Sequence, residues 1–221
     1  MDFKEGLKLD VFFQPIVYLN SQEVIGFEAL LRGFDKNGKT IYPKQIFETL
    51  NQKEREKIDI VSFELALSKA KKAELYKKHL LFVNISCALP DDVISLLRSS
   101  NYPKNRLVIE ICENMPEGKF EAFLIAFSEE DISFALDDFG FKLSNLDRLL
   151  NLQNCNWLKI DKSLTQNTAF LSLFSYASRK LGYNVVIERV EDQKDLPPST
   201  IKKNFFAQGF LFGKPSPLFV T

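Results

Sequence analysis

The sequence predicts a closed eight-stranded α/β barrel whose first strand runs against the others, and three observations carry that expectation. Eight short apolar runs alternate with longer amphipathic stretches. The first two runs are separated by little more than Asn20-Ser21-Gln22, too short for a right-handed crossover, so they pair as an antiparallel hairpin. Every later connection is long enough to return the chain parallel. Eight strands in that order suit a barrel better than an open doubly wound sheet, although spacing alone leaves closure open.

The first strand is expected over residues 11–19 and its partner over 23–31. A helix over 43–50 follows, with Pro43 in a first turn that tolerates proline, and then a long helix over 54–76. Strand 80–85 leads into helix 90–99, again opened by a proline, and strand 106–112 into helix 117–129. Strand 132–137 precedes helix 144–151, and strand 157–160 precedes helix 163–181. Strand 183–188, a short helix over 191–196 and a last strand over 204–207 complete the order. No G-x-G-x-x-G follows the first strand, which leaves a dinucleotide fold without support. There is no internal repeat, low-complexity segment or linker, so a single domain is expected over residues 1–221.

Composition narrows the function. A chain of 221 residues, 45% hydrophobic, can bury a substantial core as one barrel. Lys plus Arg equals Asp plus Glu at 29 each, so no net field draws in nucleic acid or an acidic membrane surface, and an anionic substrate must be met by local chemistry. Three cysteines, Cys87, Cys112 and Cys155, are odd in number and lack zinc-site spacing; they read as reduced thiols. The charged first ten residues are no signal peptide, and no stretch reaches the ~18 apolar residues of a membrane span. A cytoplasmic location is expected.

The informative residues are polar ones that end apolar runs. Phe82-Val83 runs into Asn84, Leu107-Val108-Ile109 into Glu110, Phe134-Ala135-Leu136 into Asp137-Asp138, Trp157-Leu158 into Lys159, Val185-Val186-Ile187 into Glu188, and Phe205-Phe206-Ala207 into Gln208. Glu28 interrupts the second strand. Any one of them taken alone reads more readily as a cap or a surface ion-pair partner; the set does not, because such positions converge on one barrel face and buried charges need partners or metal. Glu28, Asn84, Glu110 and Asp137 supply an all-oxygen shell suited to Mg²⁺ or Mn²⁺. Asp138 is placed to help hold a second ion, and two ions ~3.5–4 Å apart clamp an in-line phosphoryl displacement. Lys159 offers a cation beside the phosphate or the attacking water, and Glu188 a carboxylate able to take a proton from that water. The single histidine, His79, starts a strand at the end away from this face. A single histidine excludes histidine-built phosphodiesterase centres, and its position makes His79 a poor candidate for a seryl or cysteinyl nucleophile triad.

These residues fall in an ordered series: Gln14-Pro15-Ile16, Glu28-Ala29-Leu30-Leu31-Arg32, Val83-Asn84-Ile85-Ser86, Glu110-Ile111-Cys112-Glu113, Asp137-Asp138-Phe139-Gly140, Leu158-Lys159-Ile160-Asp161, Glu188-Arg189-Val190-Glu191 and Gln208-Gly209-Phe210. The series resembles the EAL domain family of cyclic di-GMP phosphodiesterases along nearly the whole chain. The resemblance implies a modified TIM-type (β/α)8 barrel with an antiparallel first strand. It implies hydrolysis of one phosphodiester of cyclic di-GMP to linear pGpG, with two Mg²⁺ or Mn²⁺ ions. Motif by motif, Glu28, Asn84, Glu110 and Asp137 correspond to metal ligands, Asp138 to a contributor to the second metal, Lys159 to the lysine beside the catalytic water and Glu188 to the general base. Gln14, Leu31, Arg32 and Gln208 correspond to ligand contacts, Arg32 on a phosphate that its planar fork suits. Glu113 corresponds to a carboxylate supporting the loop after Asp137-Asp138, and Glu191 to a second carboxylate near the site.

The departures are equally specific. After Asp-Asp-Phe-Gly the chain reads Phe141-Lys142-Leu143-Ser144-Asn145 instead of the usual T-G-Y-S-S, which bears on dimerisation, regulation and turnover. Cys112 replaces a threonine. Arg189 replaces a glycine, and either pairs with Glu188, blunting its basicity, or leans away toward ligand. Three functions follow: an active phosphodiesterase, a non-hydrolysing cyclic di-GMP receptor, and a protein-interaction domain, the last disfavoured because every metal-ligand position is kept. With no sensor, receiver or cyclase domain evident, control is expected from expression, from a homodimer or from a separate regulatory protein.

Overall fold

The computed structural model describes residues 6–48, 50–112, 115–139, 146–152 and 154–218. Nine strands form one sheet: β1 (Lys8–Tyr18), β2 (Val24–Phe34), β3 (Thr40–Ile41), β4 (Leu80–Ile85), β5 (Leu107–Ile111), β6 (Ser133–Leu136), β7 (Cys155–Asp161), β8 (Asn184–Glu188) and β9 (Phe206–Gln208). Their order is β1-β9-β8-β7-β6-β5-β4-β2-β3, and β1 pairs with β2 as well, so eight of them close into a barrel with β3 appended to its rim. β1 is antiparallel to both neighbours, β2 and β9, while β2-β4 and each later barrel pair run parallel.

Helices wrap the outside: α1 (Pro43–Glu48), α2 (Gln52–Lys72), α3 (Pro90–Ser100), α4 (Glu117–Ala126), α5 (Leu146–Asn151), α6 (Thr168–Leu181) and α7 (Ser199–Lys202). Outward-facing Leu81, Val83, Ile85, Leu107, Ile109, Ile111, Phe134 and Leu136 pack against Phe63, Leu67, Val93, Leu97, Phe120 and Phe123 of α2, α3 and α4. A second layer sets Ile160, Val185, Ile187 and Ala207 against Leu171 of α6. Both strand faces are therefore buried, which explains why the parallel strands read as continuous apolar runs.

Inside, side chains alternate with a period of two and stack in layers. Ile16, Phe82, Val108, Ala135, Trp157 and Val186 fill one layer, with Phe206 packed against it. Trp157 meets Phe82 at 5.1 Å and Phe206 at 5.0 Å between ring centroids. At this level β2 carries Gly26, where a Cβ would lie 2.7 Å from the Leu80 carbonyl oxygen. Only glycine lets β2 and β4 approach so closely.

The expected order of elements is borne out, with local differences. The helix expected over 54–76 ends at Lys72, and Glu74 in the left-handed region starts a separate turn over Leu75–Lys77. The stretch 163–181 divides because Asp161 caps a 3-10 turn over Lys162–Gln166 and Asn167 accepts the Phe170 N–H to begin α6. The two-residue β3 and four-residue α7 are too short to show a period, and neither was expected. The loop Phe141–Asn145 and Glu113, both singled out above, lie outside the described residues.

Candidate active site

Two residues beyond the apolar layer, toward the C-terminal ends of the parallel strands, the same alternation brings the polar residues to the barrel mouth. β4 follows Phe82 with Asn84, β5 Val108 with Glu110, β7 Trp157 with Lys159, β8 Val186 with Glu188 and β9 Phe206 with Gln208. Asp137 follows Ala135 at the end of β6. On the antiparallel β1 the step runs backward, from Ile16 to Gln14, which lies opposite Glu28. Register thus gathers all eight into one ring. This is why each interrupts its apolar run at the same point.

Lys159 is the hub and is 1% exposed. Its Nζ lies 2.8 Å from Glu188 Oε1, 2.9 Å from Glu110 Oε2, 3.3 Å from Glu28 Oε2 and 3.5 Å from Asp137 Oδ1. Asn84 Nδ2 donates to Glu28 Oε1 at 2.6 Å, and Gln208 Nε2 donates to Glu28 Oε2 and to Gln14 Oε1. Gln14 donates in turn to the Gly213 carbonyl at 3.0 Å, tying β1 to the segment after β9.

Four carboxylates around one ammonium leave an excess of buried negative charge, and the site divides it unequally. Burial penalises every ionised form. For Glu28 the attraction of Lys159 and the bonds from Gln208 and Asn84 overcome that penalty and hold its carboxyl below the usual range. Glu110, fully buried and beside Glu28, is pushed well above it. Burial raises Glu188 to about 8, with Lys159 opposing and Asp137 and Glu28 assisting. The surrounding carboxylates overcome the burial of Lys159 and hold its ammonium form well above the ordinary lysine range.

Among the described residues, no three or more His, Cys, Asp or Glu side chains stand in a metal-holding arrangement of their own; the carboxylates are drawn to Lys159 instead. The donor chemistry nonetheless fits a hard divalent cation. The donors are all oxygen, the site carries excess negative charge, and Glu110 Oε1 is buried with no hydrogen-bond partner. Gln208 Oε1 is unpartnered as well.

Two cavities flank Glu28. One of about 250 Å³ is lined by Gln14, Glu28, Leu30, Glu188, Arg189, Glu191, Gln208 and Phe210 among others. The other, of about 360 Å³, is lined by Glu28, Leu30, Leu31, Pro43, Phe47, Asp59, Asn84, Ser86, Cys112 and Asp137 among others. Leu31 reaches this wall from the opposite face of β2, where it packs with Leu9, Ile46, Ile58 and Val61. Leu30, which stands in the Glu28–Arg32 motif without a role expected of it, lines both cavities. Arg32 donates to the Leu31 carbonyl and lies over the rings of Tyr42 and Phe12, at 5.4 Å and 5.9 Å. Glu191 is exposed and sits 3.7 Å from Lys162. His79 lies at the far end of β4, against Val24 O and the edge of Phe27.

Arg189 does not pair with Glu188 but leans away from it. Its Nη2 lies 3.0 Å from Asp138 Oδ1 and its Nε 2.9 Å from Asp161 Oδ2, while Glu188 turns inward to Lys159. Asp59 of α2 is a second residue that sequence reasoning missed. Its Oδ2 accepts the N–H groups of Ser86, Cys87 and Ala88 at 2.8, 2.6 and 3.0 Å, fixing the chain just after Asn84. Ser86 donates to Cys112 Sγ, which lies 3.6 Å from Asn84 Oδ1, so the cysteine fills the hydroxyl position with a weaker donor.

The chain is similar to known proteins along most of its length. The EAL domain matches residues 2–215. Cyclic di-GMP phosphodiesterase RocR of Pseudomonas aeruginosa is 26% identical over 95% of the chain, which spans 58% of that protein. The chain spans 29% of the probable cyclic di-GMP phosphodiesterase PdeI of Escherichia coli, also at 26% identity. BlrP1 of Klebsiella pneumoniae, solved with manganese and cyclic di-GMP, superposes with a TM-score of 0.76 at 25% identity, over 97% of this chain and 58% of that one. A standalone EAL protein of Vibrio cholerae, solved with cyclic di-GMP bound, superposes with a TM-score of 0.75 at 22% identity, over 98% of this chain and 94% of that one.

Proposed function

The chain belongs to the EAL domain family, and from that premise we propose that it hydrolyses one phosphodiester of cyclic di-GMP to linear pGpG with a divalent cation, Mg²⁺ or Mn²⁺. The observation that carries the reading is the ring of Glu28, Asn84, Glu110, Asp137, Lys159 and Glu188 at the barrel mouth, with an unpartnered carboxylate oxygen on Glu110. Glu28, Asn84, Glu110 and Asp137 would hold the cation, and Asp138 stands where a second would be supported if its carboxylate were free of Arg189. A bound cation would supply Lewis acidity to the phosphoryl oxygen and the attacking water.

The chain's own residues do the rest. Glu188 accepts the proton that water loses as its oxygen bonds to phosphorus, while the phosphorus–oxygen ester bond breaks and the departing oxygen takes a proton from solvent water. A base held near the working pH suits that task. Lys159 holds Glu188 and Glu110 in place and keeps positive charge beneath the reacting phosphate. Gln14 and Gln208 orient Glu28, and Arg32, clamped by two rings, presents its fork to a second phosphate. Glu191 and Phe210 border the ligand cavity.

The test is incubation of purified protein with cyclic di-GMP and Mg²⁺ or Mn²⁺, with nucleotides separated by chromatography. Formation of pGpG that Glu28→Ala abolishes upholds the enzyme reading. Intact nucleotide that still binds favours the second reading, a cyclic di-GMP receptor, for which the Arg189–Asp138 pair speaks. A homodimer and a separate regulatory protein belong to the same proposal; exposed Leu173, Tyr176 and Leu181 on α6 offer apolar surface for self-association. No helix among the described residues is long and apolar enough to cross a membrane. A cytoplasmic location is proposed from the three free thiols.

A further inference from the structure

Arg189 follows Glu188 directly, yet the two side chains serve different places. Glu188 closes on Lys159 inside the barrel, whereas the Arg189 guanidinium lies on the rim between Asp138, after β6, and Asp161, at the end of β7. It uses two different nitrogens on two different carboxylates, at 3.0 and 2.9 Å, which fixes the plane of the group as a single contact would not. Both Asp138 (φ 48°) and Arg189 (φ 58°) hold left-handed backbone without being glycine. Aspartate tolerates that conformation, whereas a long side chain such as arginine rarely accepts it unless its surroundings impose it. Arg189 is also among the residues that line the cavity shared by Glu28 and Glu188.

We infer that Arg189 is a cation built into the chain at the place of a second metal ion, so that the protein holds one divalent ion where its Asp137-Asp138 pair would otherwise support two. The inference rests on the metal reading proposed above and concerns only the Asp138 side of it. A second ion drawn to Asp138 competes with the guanidinium for that carboxylate. It then sits beside a positive charge still anchored by Asp161, and like charges at such range oppose binding. A lone exposed ion pair would be too weak to bias this competition; the bridge across two carboxylates on a constrained backbone is not a lone pair.

The experiment counts Mn²⁺ ions per chain, by equilibrium dialysis with metal analysis and by the electron paramagnetic resonance of the bound ion. Neighbouring Mn²⁺ ions broaden one another's signal, which gives a readout independent of turnover. The wild-type chain is expected to bind a single, magnetically isolated ion. Arg189→Gly removes the guanidinium and suits the left-handed backbone; it is expected to bind a second ion with a broadened spectrum, and Asp138→Asn in that background to lose it again. Arg189→Asn, which also tolerates this backbone, serves if the glycine variant melts early. Two ions in the wild type, or one ion in both Arg189 variants, overturns the inference and leaves the first metal site standing. No Mn²⁺ on any variant overturns the metal reading itself, and the inference falls with it.

Discussion

Glu188 shows how much a single position owes to its surroundings. Burial, with Asp137 and Glu28 adding and Lys159 opposing, holds its carboxyl at about 8. Replacing it with glutamine keeps the shape and removes the proton acceptor. Glu188→Gln should lower turnover by roughly 10²–10⁴-fold while nucleotide binding, followed by calorimetry, persists; near-normal pGpG formation would sink the assignment. Cation binding should in turn expel protons. Glu188 carries a proton through part of the neutral range, and burial and the neighbouring Glu28 also push the Glu110 carboxyl well above the usual carboxylate range. A bound cation favours the ionised forms, so affinity for Mn²⁺ should rise with pH. The check is calorimetry at pH 7 in buffers of different ionisation heat: identical apparent enthalpies would mean no proton is released. Most of the ring is legible in the sequence, because Asn84, Glu110, Asp137, Lys159, Glu188 and Gln208 each end an apolar run two residues past an apolar plug; Glu28 shows as an interruption of its strand, and Gln14 only through its motif. The partners of Arg189 are not, since they depend on where Asp138 and Asp161 point after their strands. Asp59 is hidden for another reason: on a helix crowded with charges, nothing in the sequence marks one as turned inward.

Among the elements, the barrel strands are the most readable, since strands buried on both faces leave long apolar runs. Ends are less so. β1 begins at Lys8 and β2 extends to Phe34, beyond the expected bounds, because paired backbone continues where side-chain hydrophobicity does not. The start of α2 was open to reading, since Asn51 and Glu54 form a reciprocal capping box. The same helix carries the strongest tie between an outer element and the barrel mouth. Asp59 is buried, and the desolvation that raises its pKa outweighs the three N–H bonds it receives. Asp59→Ala would strand those donors beneath the protein surface. It should destabilise the fold by about 2–3 kcal/mol, read as a lower urea midpoint at unchanged slope, and weaken Mn²⁺ binding through Asn84. An unaltered midpoint would show that water satisfies the loop.

For the whole molecule, closure is the decisive event, and the charge inside sets its pH dependence. Carboxylates raised in the folded state bind protons that the unfolded chain gives up near pH 4.5. Between that value and about 8, the native state therefore holds more protons, and stability falls as pH rises through the window, by at most about 1.4 kcal/mol per pH unit for each such group. In chelator, the melting temperature should drop from pH 6 to pH 8.5, and Mg²⁺ or Mn²⁺ should restore it most at the alkaline end. A flat profile would mean the barrel mouth relaxes and admits water. Closure also joins the ends of the chain, since β1 pairs with β9 and Phe13 bridges to Ser216. The ring cannot shut until the last strand arrives, so strand edges stay open through most of folding. The protein's only tryptophan, Trp157, stands within that ring, one layer below Lys159, edge-on to Phe82 and tilted against Phe206 of the closing strand. Its fluorescence is therefore an optical gauge of closure. Emission should stay blue while β9 is docked and move red when it detaches, even if the outer helices persist by circular dichroism.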